Sequence, residues 1–209
     1  SDSDSDTDAP EPPTNLSVNG TGTILTGRGE PGAEVTVINA ANIVVGTGVV
    51  AENGSFSITL NPPQIDGGEV SAFLEDAAGN ASVTASTLAP DLVAPDRPDG
   101  FALSNDGALL TGRGEAGTRV SVTDADGVTV GTGTVGDDGT FSLPLDPAQA
   151  NGGTLQIVLE DAAGNDSAPG TFAVPDIQSP DAPTNLQVNA AGNTLTGEGE
   201  PGAEIRVTN

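Results

Sequence analysis

Carboxylates dominate the reactive side chains of this chain. Histidine, cysteine, lysine, tyrosine and tryptophan do not occur among the 209 residues, while aspartate and glutamate number 30. Without them, a nucleophile with its base is limited to serine or threonine beside a carboxylate, a poor basis for catalysis. Carboxylates at recurring spacings have a different use, which is to hold a hard cation among several oxygens.

That spacing is present. In Asp91-Leu92-Val93-Ala94-Pro95-Asp96-Arg97-Pro98 one acid stands four residues before the first proline and another directly after it. The pattern recurs 85 residues earlier, with Asp6 and Glu11 around Pro10 and Asp8 between, and 85 residues later, with Asp176 and Asp181 around Pro180. Prolines fix φ and hold the preceding residue extended, so each copy is expected to be a stiff, exposed joint between modules. Acids crowded at a joint repel one another unless a cation lies among them.

The same period runs through the chain. Gly27-Arg28-Gly29-Glu30 returns as Gly112-Arg113-Gly114-Glu115, and Glu75-Asp76-Ala77-Ala78-Gly79-Asn80 as Glu160-Asp161-Ala162-Ala163-Gly164-Asn165. Pro183-Thr184-Asn185-Leu186 echoes Pro13-Thr14-Asn15-Leu16 at twice that distance. The expected organisation is an acidic tail and linker over 1–9, repeats over 10–94 and 95–179, and a partial repeat over 180–209 with its first three strands. The missing strands of that third unit come either from another copy or from a longer array.

Within a repeat, short β-type runs alternate with turn residues, as in an antiparallel sandwich of seven strands. In the first repeat they are expected at 15–18, 23–26, 34–38, 43–50, 55–60, 69–74 and 81–88. Period-two alternation assigns Val35, Val37, Phe56, Ile58, Leu60, Val70, Ala72 and Leu74 to the core, with Thr36, Ser57 and Thr59 outward. The second core uses Val120, Val122, Phe141, Leu143, Leu145, Leu155, Ile157 and Leu159. Asn53-Gly54 and Asp138-Gly139 are expected as tight hairpin turns. Pro169 falls in the seventh strand of the second repeat and marks it as an edge. Asp124-Ala125-Asp126-Gly127 reads as a turn between the third and fourth strands.

If strands alternate in direction, the loops after the second, fourth and sixth strands return to the pole where the repeat begins. That pole would gather Asp6, Asp8, Glu11, Glu30, Asp76 and Asn80 in the first repeat. In the second it would gather Asp91, Asp96, Glu115, Asp161 and Asn165, with Glu160 a weaker member because it continues a strand. The third has Asp176, Asp181 and Glu200 but not its later loop. Such oxygen sets suit calcium better than magnesium, and zinc would want the absent histidine or cysteine. One calcium is expected at each joint. The plain alternative is that these acids are solvated loop residues and the Gly-Asn pairs are turns.

A net charge of -25, with all five cations arginine, argues against nucleic acid or an anionic membrane as partner. No apolar run reaches about 18 residues and no basic-then-apolar leader is present, so neither a membrane span nor an amino-terminal secretory signal is expected. Ser1-Asp2-Ser3-Asp4-Ser5-Asp6 reads as a solvated tail.

Gly-Glu-Pro-Gly-Ala-Glu at 29–34, Asn-Gly-Ser-Phe at 53–56 and Asp-Ala-Ala-Gly-Asn at 76–80 resemble the bacterial Ig-like repeats of large type I-secreted adhesins, the biofilm-associated proteins among them. The resemblance implies an all-β fold of tandem seven-stranded sandwiches, export through a one-step channel of a Gram-negative cell, and a place on the extracellular bacterial surface. It also implies calcium near the joints, with Asp91, Asp96, Asp161 and Asn165 at the corresponding positions. Asp181-Ala182, against Asp96-Arg97 and Glu11-Pro12, keeps the acid after proline and varies its neighbour.

Three classes of function remain. For an enzyme, adjacent Glu160 and Asp161 are the nearest thing to a carboxylate pair, and neighbours on a strand end point to opposite faces. For a sugar or receptor binder, outward aromatic platforms are lacking apart from Phe73. Asn-x-Ser triplets at Asn15, Asn80 and Asn165 could accept glycans in a suitable host. A calcium-stiffened spacer serving adhesion and biofilm formation accounts for the most features; its partners are neighbouring Ig-like repeats of the same or another copy, with self-association into fibres as the variant.

Overall fold

The computed structural model describes residues 6–208. The tail expected as solvated lies, apart from Asp6, outside the described residues. The chain divides into two compact units, Ser1–Ala94 with Ala162–Asn165, and Pro95–Asp161 with Asp166–Asn209.

The first unit has seven strands: β1 (Thr14–Val18), β2 (Ile24–Arg28), β3 (Glu34–Asn39), β4 (Val44–Val49), β5 (Ser55–Thr59), β6 (Glu69–Glu75) and β7 (Ala85–Leu88). They form an antiparallel sheet β1-β2-β5 and another in the order β4-β3-β6-β7. Their facing sides bury Leu25, Val35, Val37, Val45, Val50, Phe56, Ile58, Leu60, Val70, Ala72 and Leu74. Every residue that alternation assigned to this core is there. Leu25, Val45 and Val50 join it, with Ala33 and Ala89.

The second unit repeats the scheme with β8 (Asp99–Leu103), β9 (Leu109–Arg113), β10 (Arg119–Thr123), β11 (Thr129–Thr134), β12 (Thr140–Pro144), β13 (Thr154–Glu160) and β14 (Gly170–Ala173). Its sheets are β12-β9-β8 and β11-β10-β13-β14. The expected core residues are again buried, joined by Leu110, Val130, Val135 and Val174. The second glycine-arginine motif shows why glycine is needed: a Cβ on Gly112 would run into the ring of Phe141. Among the described residues no helix is long and apolar enough to cross a membrane.

Four expectations for the first two repeats change. Asn53-Gly54 and Asp138-Gly139 are tight turns, with φ of 76° and 75° at the glycines, but the strands they join lie in different sheets, so neither is a hairpin. The seventh strand is shorter than 81–88. Ser82 explains it, because its hydroxyl accepts the Leu74 N–H at 2.9 Å, taking a donor that a paired strand would have used. Pro169 precedes β14 rather than lying in it, although β14 is the expected edge strand. The joints are not wholly exposed either: Pro10, Pro13 and Pro98 are buried, and the acids beside them face solvent.

Residues 180–208 form one hairpin, β15 (Thr184–Val188) with β16 (Leu195–Glu198). The third strand expected around Ile205 does not form. In the first unit β3 is held by β4 and β6 on either side, and neither has a counterpart within 180–208; Ile205 and Val207 remain 75% and 69% exposed.

Candidate functional site

Consecutive strands alternate in direction even where the chain crosses between sheets, so alternate loops return to the same pole. In the first unit the turns after β2, β4 and β6 meet at one end. Gly29 N donates to Gly54 O at 3.0 Å and Gly32 N to Val50 O at 2.9 Å. Asp6, Glu30 and Asp76 line one open hollow of about 510 Å³ at this leading pole, with Pro31, Gly32 and Ala33.

Asp76 organises the loop after β6. Its Oδ1 accepts the N–H groups of Ala78 and Asn80 at 2.8 and 2.9 Å, and its Oδ2 accepts Asn80 Nδ2 at 2.8 Å. The Asn80 amide, followed by these main-chain donors, holds the carboxyl below its ordinary 3.8. The same Asn80 Nδ2 reaches Asp6 O at 3.1 Å and Asp8 O at 3.5 Å. One amide group therefore gathers a carboxylate oxygen and two main-chain carbonyls of the joint. A comparable bond, Asn165 Nδ2 to Asp91 O at 3.3 Å, occurs within the first compact unit.

The donors of this pole are all hard oxygens, which is the chemistry calcium takes. Among the described residues, however, no three acids stand close enough together to hold a metal by side chains alone. Glu11 is exposed, and of Asp8 only the carbonyl takes part in the gathering. The set fits a cation held by a few carboxylates together with carbonyls and water, and does not fit an all-carboxylate cage.

The other acids are placed less uniformly. Asp91 lies at the trailing pole of the first unit, where it bridges Asp66 and where Leu92 N donates to Ile65 O at 2.7 Å. Sequence reasoning passed over Asp66; its signal was the Asp66-Gly67-Gly68 turn, in a loop that must share the trailing pole. Asp96 and Glu115 line one hollow of the second unit with Asp99 and two guanidinium groups, Arg97 and Arg113. There the protein supplies cations of its own. Glu160 faces Arg119 at 3.4 Å. Asp161 is half-buried at the end of β13, Asp176 bridges Asn151, and Asp181 and Glu200 are exposed.

The serines of two Asn-x-Ser triplets have structural work. Ser82 Oγ binds the Leu74 N–H, and Ser167 Oγ binds the Leu159 N–H at 3.0 Å.

The model of the bacterial Ig domain family matches residues 9–91, 94–176 and 179–209. Among solved structures, the chain is similar to a biofilm associated protein BSP domain, at 23% identity and a TM-score of 0.34 over 80% of this chain; the match spans 30% of that chain's length. It is also similar to a two fibronectin type-III domain segment from chicken tenascin, at 16% identity and a TM-score of 0.36, covering 78% of this chain and 98% of that one. No curated protein matches the chain significantly. Three successive matches spanning nearly all of its length place the chain in the bacterial Ig domain family.

Proposed function

We propose that this chain is an extender segment of a bacterial surface adhesin, a stalk of Ig-like modules that serves adhesion and biofilm formation from the extracellular side and is stiffened by calcium near the joints. The observation that carries the reading is the amide of Asn80, which collects Asp76 Oδ2 and the carbonyls of Asp6 and Asp8 about one point. Loop and incoming joint thus bring oxygens to the same place. Two complete sandwiches with the same core, repeated at one period, suit a spacer, and the reading assigns them no catalysis.

Asp76, with the carbonyls of Asp6 and Asp8 and with Glu30 from the opposite loop, would hold calcium at the first leading pole. Bound there, calcium supplies charge neutralisation and several oxygen contacts at once. Without it, the exposed acids of the joint repel one another and the joint is free to bend.

The test is calcium against chelator on the whole chain. A ligand that binds only the folded form at about a hundred times its Kd adds roughly 2.7 kcal/mol of stability. The melting temperature and the maximum dimension from small-angle scattering should both rise with calcium, and the rise in melting temperature should shrink in Asp76→Ala. Superimposable melting curves and scattering profiles would overturn the proposal.

A further inference from the structure

Asn-Gly steps occur at Asn19-Gly20, Asn53-Gly54 and Asn151-Gly152. At such a step the glycine nitrogen can reach the side-chain carbonyl carbon of asparagine, because glycine has no Cβ to obstruct the approach. Whether it does so depends on what else holds the two groups.

The first two steps are held. Asn19 Oδ1 accepts the N–H groups of Thr23 and Ile24 at 2.8 and 3.1 Å, which ties its side chain across the turn. Gly54 N donates to Ala51 O at 2.8 Å, while Asn53 Oδ1 accepts Ser55 N at 3.0 Å and Ser55 Oγ at 2.7 Å. In each case a hydrogen bond must break before the side chain can turn or the nitrogen attack.

The third step is not held in this way. Among the described residues the Asn151 side chain makes no hydrogen bond, although the main chain beside it is paired in the Asn151–Asp176 bridge, with Ile177 N donating to Ala150 O at 2.8 Å. Asn151 is exposed and lines an open polar hollow of about 410 Å³ with Asp124, Asp126 and Gln178. Two successive glycines follow it, both with positive φ, 77° and 95°.

We propose that Asn151 is a site of autocatalytic deamidation in the folded chain. The Gly152 nitrogen, its proton taken by hydroxide, attacks Asn151 Cγ. The N–Cγ bond forms, the bond from Cγ to the side-chain nitrogen breaks, and ammonia leaves with a proton from water. Water then opens the resulting succinimide at either carbonyl, giving aspartate or isoaspartate at position 151. Repeat one already has an acid at the equivalent place, Asp66, bridged to Asp91 as Asn151 is bridged to Asp176. Conversion therefore adds a carboxylate beside Asp176, and the isoaspartate form also lengthens the main chain by a methylene where that bridge forms. The inference stands whether or not the chain is an extender.

The test is peptide mapping by mass spectrometry of the whole chain, incubated folded and in urea at several pH values above neutrality. In the folded chain, position 151 should gain a single dalton several-fold faster than 19 or 53, with the rate rising with pH. In urea the three sites should converge. Gly152→Ala should slow the conversion at 151 without altering the other two. Equal rates at the three sites in the folded chain, or an intact Asn151 when 53 has converted, would overturn the proposal.

Discussion

Repeat one packs Leu16 and Phe56 around Gly27, with Thr87 at the outer edge; repeat two packs Phe101 and Phe141 around Gly112, with Phe172 at that edge. The backbone is the same and the filling differs. Phe101 lies 6.4 Å from both Phe141 and Phe172, edge-on to the second with an interplanar angle of 75°. The larger ring is accommodated by a smaller neighbour. A Cβ on Gly170 would lie 2.5 Å from the Phe101 ring, and repeat one, with leucine in place of that ring, has Ala85 at the equivalent position. Such paired exchanges keep core volume constant, which close packing demands. The comparison teaches that the repeats share a fold by compensation, and that the second holds its outer strands by aromatic contact the first lacks.

The largest effect should come from breaking that contact. Phe141→Ala empties a buried site, for which about 3–5 kcal/mol is the usual cost, and removes a ring pair of about 0.5–1.5 kcal/mol besides. Phe56→Ala creates a similar cavity without the ring pair. Hydrogen exchange read by mass spectrometry, which follows each repeat separately in the whole chain, should show a greater loss of protection in repeat two for Phe141→Ala than in repeat one for Phe56→Ala. Equal losses would mean that the rings contribute only their area.

Next in size is the serine that replaces a ladder partner. Ser167 is 6% exposed, and its hydroxyl accepts the Leu159 N–H while donating to Ala168 O at 3.0 Å. Ser167→Ala leaves that N–H buried without a partner, at a cost of about 1–3 kcal/mol. Ser82 makes the same bonds but is half-exposed. Water can replace its hydroxyl, so Ser82→Ala should cost less, as exchange at Leu74 against Leu159 would show.

The serine also shows where sequence reading stopped. Val35, Val37, Ile58 and Leu74 declared their burial by alternation, because one face of each strand meets water and the other does not. Both sheets contribute such faces, so the seven-strand order and the pole of Asp6, Glu30 and Asp76 followed from periodicity and direction alone. Ser82 could not be read in that way, since a hydroxyl taking the place of a strand carbonyl leaves no periodic trace. Neither could the sheet membership of β4 and β5, because Asn53-Gly54 suits a turn between sheets as well as a hairpin. Asp66 was missed for a third reason. Attention to acids near the prolines set aside the opposite loop, which only the trailing strand brings to Asp91.

Acid should separate two turns of repeat two from their counterparts in repeat one, while the Asp76 loop makes repeat one acid-sensitive elsewhere. The Asp138 carboxyl is held below its ordinary 3.8, first by the Thr140 hydroxyl and then by the Thr140 N–H; Asp106 is held down by the Ser104 hydroxyl and the Ala108 N–H. Repeat one has Asn53 and Thr21 at these places. A group whose folded value is depressed adds stability above its unfolded value, and that stability disappears as pH falls through the folded one. Between neutrality and about pH 4, neither of these two turns should change; below it, those of repeat two should weaken. Exchange at Thr140 followed against pH should show the loss, and Asp138→Asn should remove that turn's share. Asn53→Asp should confer the same sensitivity on the corresponding turn of repeat one.

The smallest effect concerns one cross-strand pair on the sheet surface. In repeat two Arg119 stands opposite Glu160 and their side chains meet at 3.4 Å, both largely exposed at 65% and 44%. The equivalent residues in repeat one are Glu34 and Glu75, directly opposite each other and of like charge. Opposite charges facing across strands contribute about 0.2–1 kcal/mol, and like charges oppose pairing by a similar amount. Glu34→Arg should therefore stabilise repeat one slightly, and Arg119→Glu should destabilise repeat two. Both changes should shrink in molar salt, where the Debye length falls to about 3 Å. If calcium is held at the leading pole, the like-charged pair has a use there, since Glu75 adjoins Asp76; the benefit of Glu34→Arg should then be larger in chelator than in calcium. A benefit identical in the two conditions would make Glu34 and Glu75 an ordinary surface repulsion, and would separate the strand ends from the chemistry of the pole.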